Sequence, residues 1–117
     1  MDWLNQYAWI GALLFARLGA VLMVAPVWGE QVVPMTFRLG LAVLVTATLA
    51  PTVAINAPPL PANIINAIPL IINEIIIGLI MGLGARLMMS ALQVAGATAG
   101  IASGLGFAQQ IDPIASQ

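Results

Sequence analysis

Long apolar runs, broken by short polar or proline-rich stretches, set the rhythm of this chain. From about Tyr7 to Trp28 the sequence is almost continuously hydrophobic, long enough to cross a bilayer core of roughly 30 Å. Pro26 and the Trp28-Gly29-Glu30-Gln31 stretch mark its exit at an interface. Trp3, Tyr7, Trp9 and Trp28 bracket the run, as aromatic belts at headgroup level do. A second segment runs from near Pro34 through Leu49 and ends at Ala50-Pro51, with proline as punctuation at both ends. Thr52 to Ala67, with Pro58-Pro59, Pro61 and three asparagines, reads as a proline-stiffened connection at one membrane face. The third helix is predicted from Ile64 or Ile68 to Leu92, with Pro69 placed to kink its start. It is longer than one span needs, so it should tilt or project beyond the bilayer. Gln93 to Gly106 is short and glycine-rich, which predicts a packed half-helix or re-entrant element.

The predicted fold is therefore an all-α integral membrane domain over residues 1–117. It has three long hydrophobic helices, a short glycine-rich half-helix and a C-terminal loop. Composition agrees: 62% of the 117 residues are hydrophobic and 6% charged, where a soluble domain carries about 25% charged residues. A lipid-facing barrel would alternate every second residue, and these runs do not. Net charge is −1, which indicates neither nucleic-acid binding nor attraction of the whole chain to anionic headgroups. Cysteine and histidine are absent, so thiolate chemistry and a nucleophile–histidine arrangement are absent too. No GxSxG sequence occurs, Glu30 and Glu74 lie on separate segments without metal-ligand spacing, and no strand precedes Gly82-Leu-Gly84. The expectation is no enzyme, no cofactor and no metal.

The few charged positions carry the remaining information. Arg17 lies near the middle of the first segment, where an arginine costs about 2.5–3.5 kcal/mol on insertion scales. Such a residue faces a bundle interior, a pore or an acidic partner. Glu74, Gly78, Gly82 and Arg86 recur every four residues along the third helix and drift slowly around one side. Gly78 and Gly82 form a GxxxG pair that lets another backbone approach closely. Glu74 and Arg86 are about 18 Å apart along the axis, so they cannot pair, and each needs a partner elsewhere or a polar cavity. Two readings of this face stand: ordinary helix packing with snorkelling charges, or a packing surface for another subunit. Gly96, Gly100 and Gly104 continue the small-residue spacing. Three spans put Arg38 and Arg86 on one side and Asp2 with the proline loop on the other. The positive-inside tendency then sets the N-terminus outside the cytoplasm.

The order of several stretches resembles the FliR family of flagellar biosynthesis proteins and its virulence-type secretion counterparts. Arg17-Leu-Gly-Ala-Val-Leu-Met-Val-Ala-Pro26 looks like that family's opening helix. Pro34, Arg38-Leu-Gly-Leu-Ala and Pro51 match its second helix, and Glu74-Ile-Ile-Ile-Gly78 followed by Gly82 is similar to its third. Ala95-Gly-Ala-Thr-Ala-Gly100 and Gly104-Leu-Gly-Phe-Ala-Gln-Gln-Ile-Asp-Pro113 look like its most recognisable stretch. The resemblance implies a subunit of the flagellar type III protein export gate, in the bacterial inner membrane at the flagellar basal body. Its implied partners are FliP-like and FliQ-like gate subunits, an FlhB-like switch protein, the lipid membrane and unfolded export substrates. Family members continue past the Asp-Pro motif with further membrane segments. The chain is accordingly expected to be the N-terminal portion of a longer protein.

In that family the stretch matching Gly104 to Asp112 belongs to a loop that plugs the closed pore. The residues suit the role. Phe107 and Ile111 can seal a narrow lumen with Leu105 and Ala108 beside them, Gly104 and Gly106 permit displacement, and Gln109-Gln110 offer polar contacts without fixed charge. Asp112-Pro113 closes the stretch by biasing Asp112 away from helix. The resemblance thus assigns Gly104–Pro113 as gate or plug loop, and Arg17, Glu74, Gly78, Gly82, Arg86, Gly96 and Gly100 as subunit-packing or pore-facing positions. Two other readings are a small-molecule transporter fragment with a broken-helix site at Gly104–Pro113, and a helix-packing membrane anchor. No internal repeat supports the first, and the second leaves Arg17 and the glutamine–aspartate loop without a purpose.

Overall fold

The computed structural model describes residues 2–26 and 32–104. Among them are three α-helices and no strand: α1 (Asp2–Val24), α2 (Met35–Val53) and α3 (Ile64–Ala102), with a single 3₁₀ turn at Ala54–Asn56 after α2. All three are long and apolar enough to cross a membrane. By internal contacts the chain divides into two compact units, Met1–Arg86 and Leu87–Gln117.

In the first unit α1 is the central element. Trp9, Ile10, Leu13 and Ala20 on α1 are buried, Ile10 almost completely. α1 packs against α2, which contributes buried Ala42 and Thr46, and a Cβ added at Gly11 would lie 3.9 Å from Thr46 Cγ2, while Ala20 lies against Gly78 of α3. Trp9 therefore belongs to the core rather than to an interfacial belt. Trp3 and Tyr7, at the same end of the helix, are exposed. Trp28 lies outside the described residues. The other large apolar side chains of α2 and α3, such as Phe37, Leu44, Ile68 and Ile76, are mostly exposed, as expected of surfaces whose solvent is lipid or a neighbouring subunit.

Proline punctuates this unit differently from the expectation. Pro34 sits just before α2 with φ −58° and ψ 141°, and its carbonyl accepts from the Phe37 and Arg38 amides at 3.1 and 3.2 Å. Pro51, expected at the exit, lies inside the last turn of α2, which persists to Val53. A proline there forfeits one ladder hydrogen bond, and the helix tightens into the 3₁₀ turn directly afterwards. α3 begins at Ile64, where the Asn63 carbonyl accepts from the Asn66 and Ala67 amides, and Pro69 is carried inside it.

The proline-rich connection is held at the start of α1. Gln6 Nε2 donates to the Pro58 carbonyl at 3.3 Å, and the Leu60 amide donates to Gln6 Oε1 at 3.2 Å. At the opposite end of α1, Arg86 Nη1 donates to the Val24 carbonyl at 3.3 Å and Arg38 Nη1 approaches Met23 Sδ at 3.9 Å. The grouping expected of a three-span chain is thus present: the proline loop at one end of α1, and Arg38 and Arg86 at the other.

In the second unit, helix α3 continues through the stretch expected to form a separate half-helix, ending only at Ala102. Gly96 and Gly100 each cost about 1 kcal/mol relative to alanine, but they are isolated among alanine, valine and isoleucine. In apolar surroundings only an unbroken ladder satisfies every backbone group. Thr98 and Ser103 turn their hydroxyls back onto the Val94 and Gly100 carbonyls, at 2.8 and 3.1 Å. Gly104 then adopts φ +77°, its amide bonded to the Ile101 carbonyl. That left-handed conformation is what glycine supplies at a helix C-terminus.

Candidate functional site

Mid-helix arginine on α1 demands a partner, and the fold provides one from 57 residues away in sequence. Arg17 Nη2 donates a hydrogen bond to Glu74 Oε1 at 2.9 Å. Arg17 Nε lies 2.6 Å from Glu74 Oε2, as a charge contact whose angle is not that of a hydrogen bond. The Arg17 side chain is 39% exposed and that of Glu74 19%. Both sit within segments long enough to span a membrane. Pairing neutralises two charges that would each be expensive in hydrocarbon. Beside the pair is a recess of about 70 Å³, lined by Leu13, Leu14, Val53 and Ala57 together with the two charged groups. It is large enough for water and carries polar groups to hold it.

The pair is positioned by glycine. One turn beyond Glu74, Gly78 is buried directly on the backbone of α1. A Cβ there would lie 2.8 Å from Ala20 Cβ and would collide with the Arg17 carbonyl itself. At Gly82 the fit is looser: a Cβ would meet Val24 Cβ at 3.1 Å and the Val21 carbonyl at 3.2 Å. The seam therefore runs from Arg17–Glu74 through Gly78 and Gly82 to Arg86 on the Val24 carbonyl. Close backbone approach is the use of such glycines where no hydrophobic effect drives helices together.

The structure thus brings Arg17, Glu74, Gly78, Gly82 and Arg86 onto one seam. At Gly78 and Gly82 the seam holds the backbone and side chains of α1 of the same chain. The spacing of Glu74 and Arg86 had required separate partners, and these are Arg17 and Val24. Gly96 and Gly100 lie in the second unit, and a Cβ at either would meet no heavy atom within 4 Å. Of the stretch assigned as gate loop, Gly104 is the helix-ending residue, and Leu105–Pro113 lie outside the described residues. Two contributors were not legible in advance. Gln6 carries an ordinary polar side chain near a helix start, and only the long-range return of the proline loop gives it a role. Thr46, buried against α1, was hidden in an apolar run. Among the described residues no cluster of three or more histidines, cysteines or acids could hold a metal.

The chain matches the family described as bacterial export proteins, family 1, over residues 8–117. It belongs to that family. Among relatives, it is 37% identical over 105 residues to the flagellar biosynthetic protein FliR of Caulobacter vibrioides, covering 90% of this chain and 42% of the relative. The FliR proteins of Pectobacterium carotovorum subsp. carotovorum and Escherichia coli (strain K12) are 33% and 34% identical over 113 residues, each comparison covering 97% of this chain and 41% of the relative. The chain thus spans about two fifths of the length of these curated relatives. No solved structure gives a significant match. Within this export family, Arg17, Glu74, Gly78, Gly82 and Arg86 all fall inside the matched span.

Proposed function

We propose that the chain is an inner-membrane subunit of the flagellar type III protein export gate, contributing helices to the pore through which unfolded flagellar proteins leave. The observation that carries this reading is the family match over residues 8–117, together with relatives named as flagellar biosynthetic proteins. Three apolar helices, two of them joined by an internal ion pair, fit such a subunit, because they provide a neutralised charge pair inside and broad apolar faces outside. On this reading the partners are FliP-like and FliQ-like subunits and an FlhB-like switch protein, and the site is the flagellar basal body. The role is structural and conductive rather than enzymatic. Gly104–Pro113 serves as the gate: Phe107 and Ile111 seal, Gly104 and Gly106 yield, and Gln109-Gln110 make uncharged polar contacts.

The test is affinity isolation of the tagged chain from cells expressing the export apparatus. FliP- and FliQ-like proteins should accompany it through detergent extraction; their absence under conditions that recover an intact gate would overturn the assignment. For the loop, deletion of Gly106–Gln110 in the assembled gate should raise ion conductance across the membrane, and unchanged conductance would refute the plug role.

A further inference from the structure

The recess beside the Arg17–Glu74 pair is walled in part by the proline-rich connection. Val53, at the end of α2, and Ala57, just beyond the 3₁₀ turn, line it together with Leu13 and Leu14 of α1. At Ala57 the backbone is extended, with φ −77° and ψ 148°, and it runs on as Pro58-Pro59-Leu60-Pro61. Proline fixes φ and lacks an amide hydrogen, so the stretch is stiff and Leu60 carries its only backbone N–H. That amide donates to Gln6 Oε1 at 3.2 Å, and Gln6 Nε2 donates to the Pro58 carbonyl at 3.3 Å. A primary amide sets an acceptor beside a donor, which matches the N–H and C=O of an extended backbone. Pro58, Pro59 and Leu60 are exposed and Ala57 is half-buried, so apolar burial holds the stretch only lightly. Both bonds to Gln6 are exposed and lie at the long end of the hydrogen-bond range.

We propose that Ala57–Leu60 is a lid over the Arg17–Glu74 recess, clasped shut by Gln6, which swings open as one stiff piece and admits water to the ion pair. Segments with few buried apolar contacts and exposed hydrogen bonds are the first to open locally. Here one side chain makes both bonds, so losing it releases the lid in a single step. Gln6 and Arg17 are 11 residues apart on α1, about 16 Å at helical rise. The clasp therefore acts on a pair it does not touch, through the loop that roofs it. Whatever takes the Pro58 carbonyl or the Leu60 amide from Gln6 hydrates the charges that join α1 to α3. Water raises the local dielectric and weakens their attraction. A loop at one end of α1 thereby controls how firmly the middle of the seam is held. The proposal does not depend on the export-gate reading, because it rests on this chain's own elements.

The test is thiol labelling of the full chain in detergent micelles, which has no native cysteine to interfere. Leu13→Cys places a reporter at a buried position on the recess wall, and Ala42→Cys places one at a buried position that does not line it. Adding Gln6→Ala should speed the reaction of the Leu13→Cys reporter with a water-soluble methanethiosulfonate about tenfold, the effect of two lost exposed hydrogen bonds. The Ala42→Cys reporter should react at an unchanged rate. Circular dichroism checks that each variant keeps its helices, and Leu14→Cys, also on the recess wall, takes over if Leu13→Cys fails to fold. A recess reporter indifferent to Gln6→Ala would overturn the proposal, and so would equal acceleration at both positions, which signals general loosening instead of a lid.

Discussion

Replacing Glu74 by glutamine keeps the shape of the side chain but leaves the Arg17 guanidinium without its counter-charge. Two contacts are altered: the charge-assisted hydrogen bond of 2.9 Å from Nη2 and the 2.6 Å approach of Nε. Removing one partner of a fully buried pair costs about 3–5 kcal/mol, whereas a fully exposed pair contributes about 0–1 kcal/mol. With Arg17 39% and Glu74 19% exposed, the expected loss lies between, at about 1–3 kcal/mol. The assay is reversible unfolding of the full chain in mixed micelles of increasing dodecyl sulfate content, followed by helix signal. A double-mutant cycle with Arg17→Gln isolates the pairwise term. Each single change should destabilise, and the double variant should lose less than the sum of the two, with coupling of at least about 1 kcal/mol. Additive losses, or a Glu74→Gln effect within about 0.5 kcal/mol, would refute the idea that this pair joins α1 to α3.

Two further outcomes follow from close packing. Gly78→Ala should destabilise and loosen the Arg17–Glu74 pair, because its Cβ would lie 2.8 Å from Ala20 Cβ and strike the Arg17 carbonyl. Gly84→Ala, whose Cβ meets nothing within 4 Å, should instead stabilise by roughly 0.5–1 kcal/mol through helix propensity; the same micelle titration reads both, and equal effects would discount the backbone contact. Thr46 is buried with no hydrogen-bond partner for Oγ1 among the described residues. Thr46→Val should therefore be neutral or stabilise by up to about 1–2 kcal/mol, and a clear loss in thermal unfolding would mean that the hydroxyl has a partner in the membrane.

The all-α membrane class, the three long apolar segments and the grouping of arginines opposite the proline loop were legible because hydrophobic run length and charge spacing encode them locally. The separate half-helix expected over Gln93–Gly106 is instead the continuation of α3 as far as Ala102. Helix ends were less so. Pro51 and Gly96 look like terminators in isolation, but a ladder in apolar surroundings tolerates single breakers, and α2 and α3 run past them to Val53 and Ala102. At the candidate site, spacing alone established that Glu74 and Arg86 need different partners. It did not supply Arg17 as the answer, since a contact across 57 residues depends on how three helices close. Trp9 shows the same limit: its place near a helix start suggested an interface, while the fold buries it.

The Arg17–Glu74 pair also has a history in time. A ribosome adding about 5–20 residues per second takes roughly 3–11 seconds to travel the 57 residues between the two. Through that interval α1 exists with its guanidinium but without the carboxylate that makes it tolerable in hydrocarbon. Synthesis order thus gives the ion pair a sequel: the cost of the Arg17 charge, about 2.5–3.5 kcal/mol on insertion scales, is offset only once Glu74 has been made.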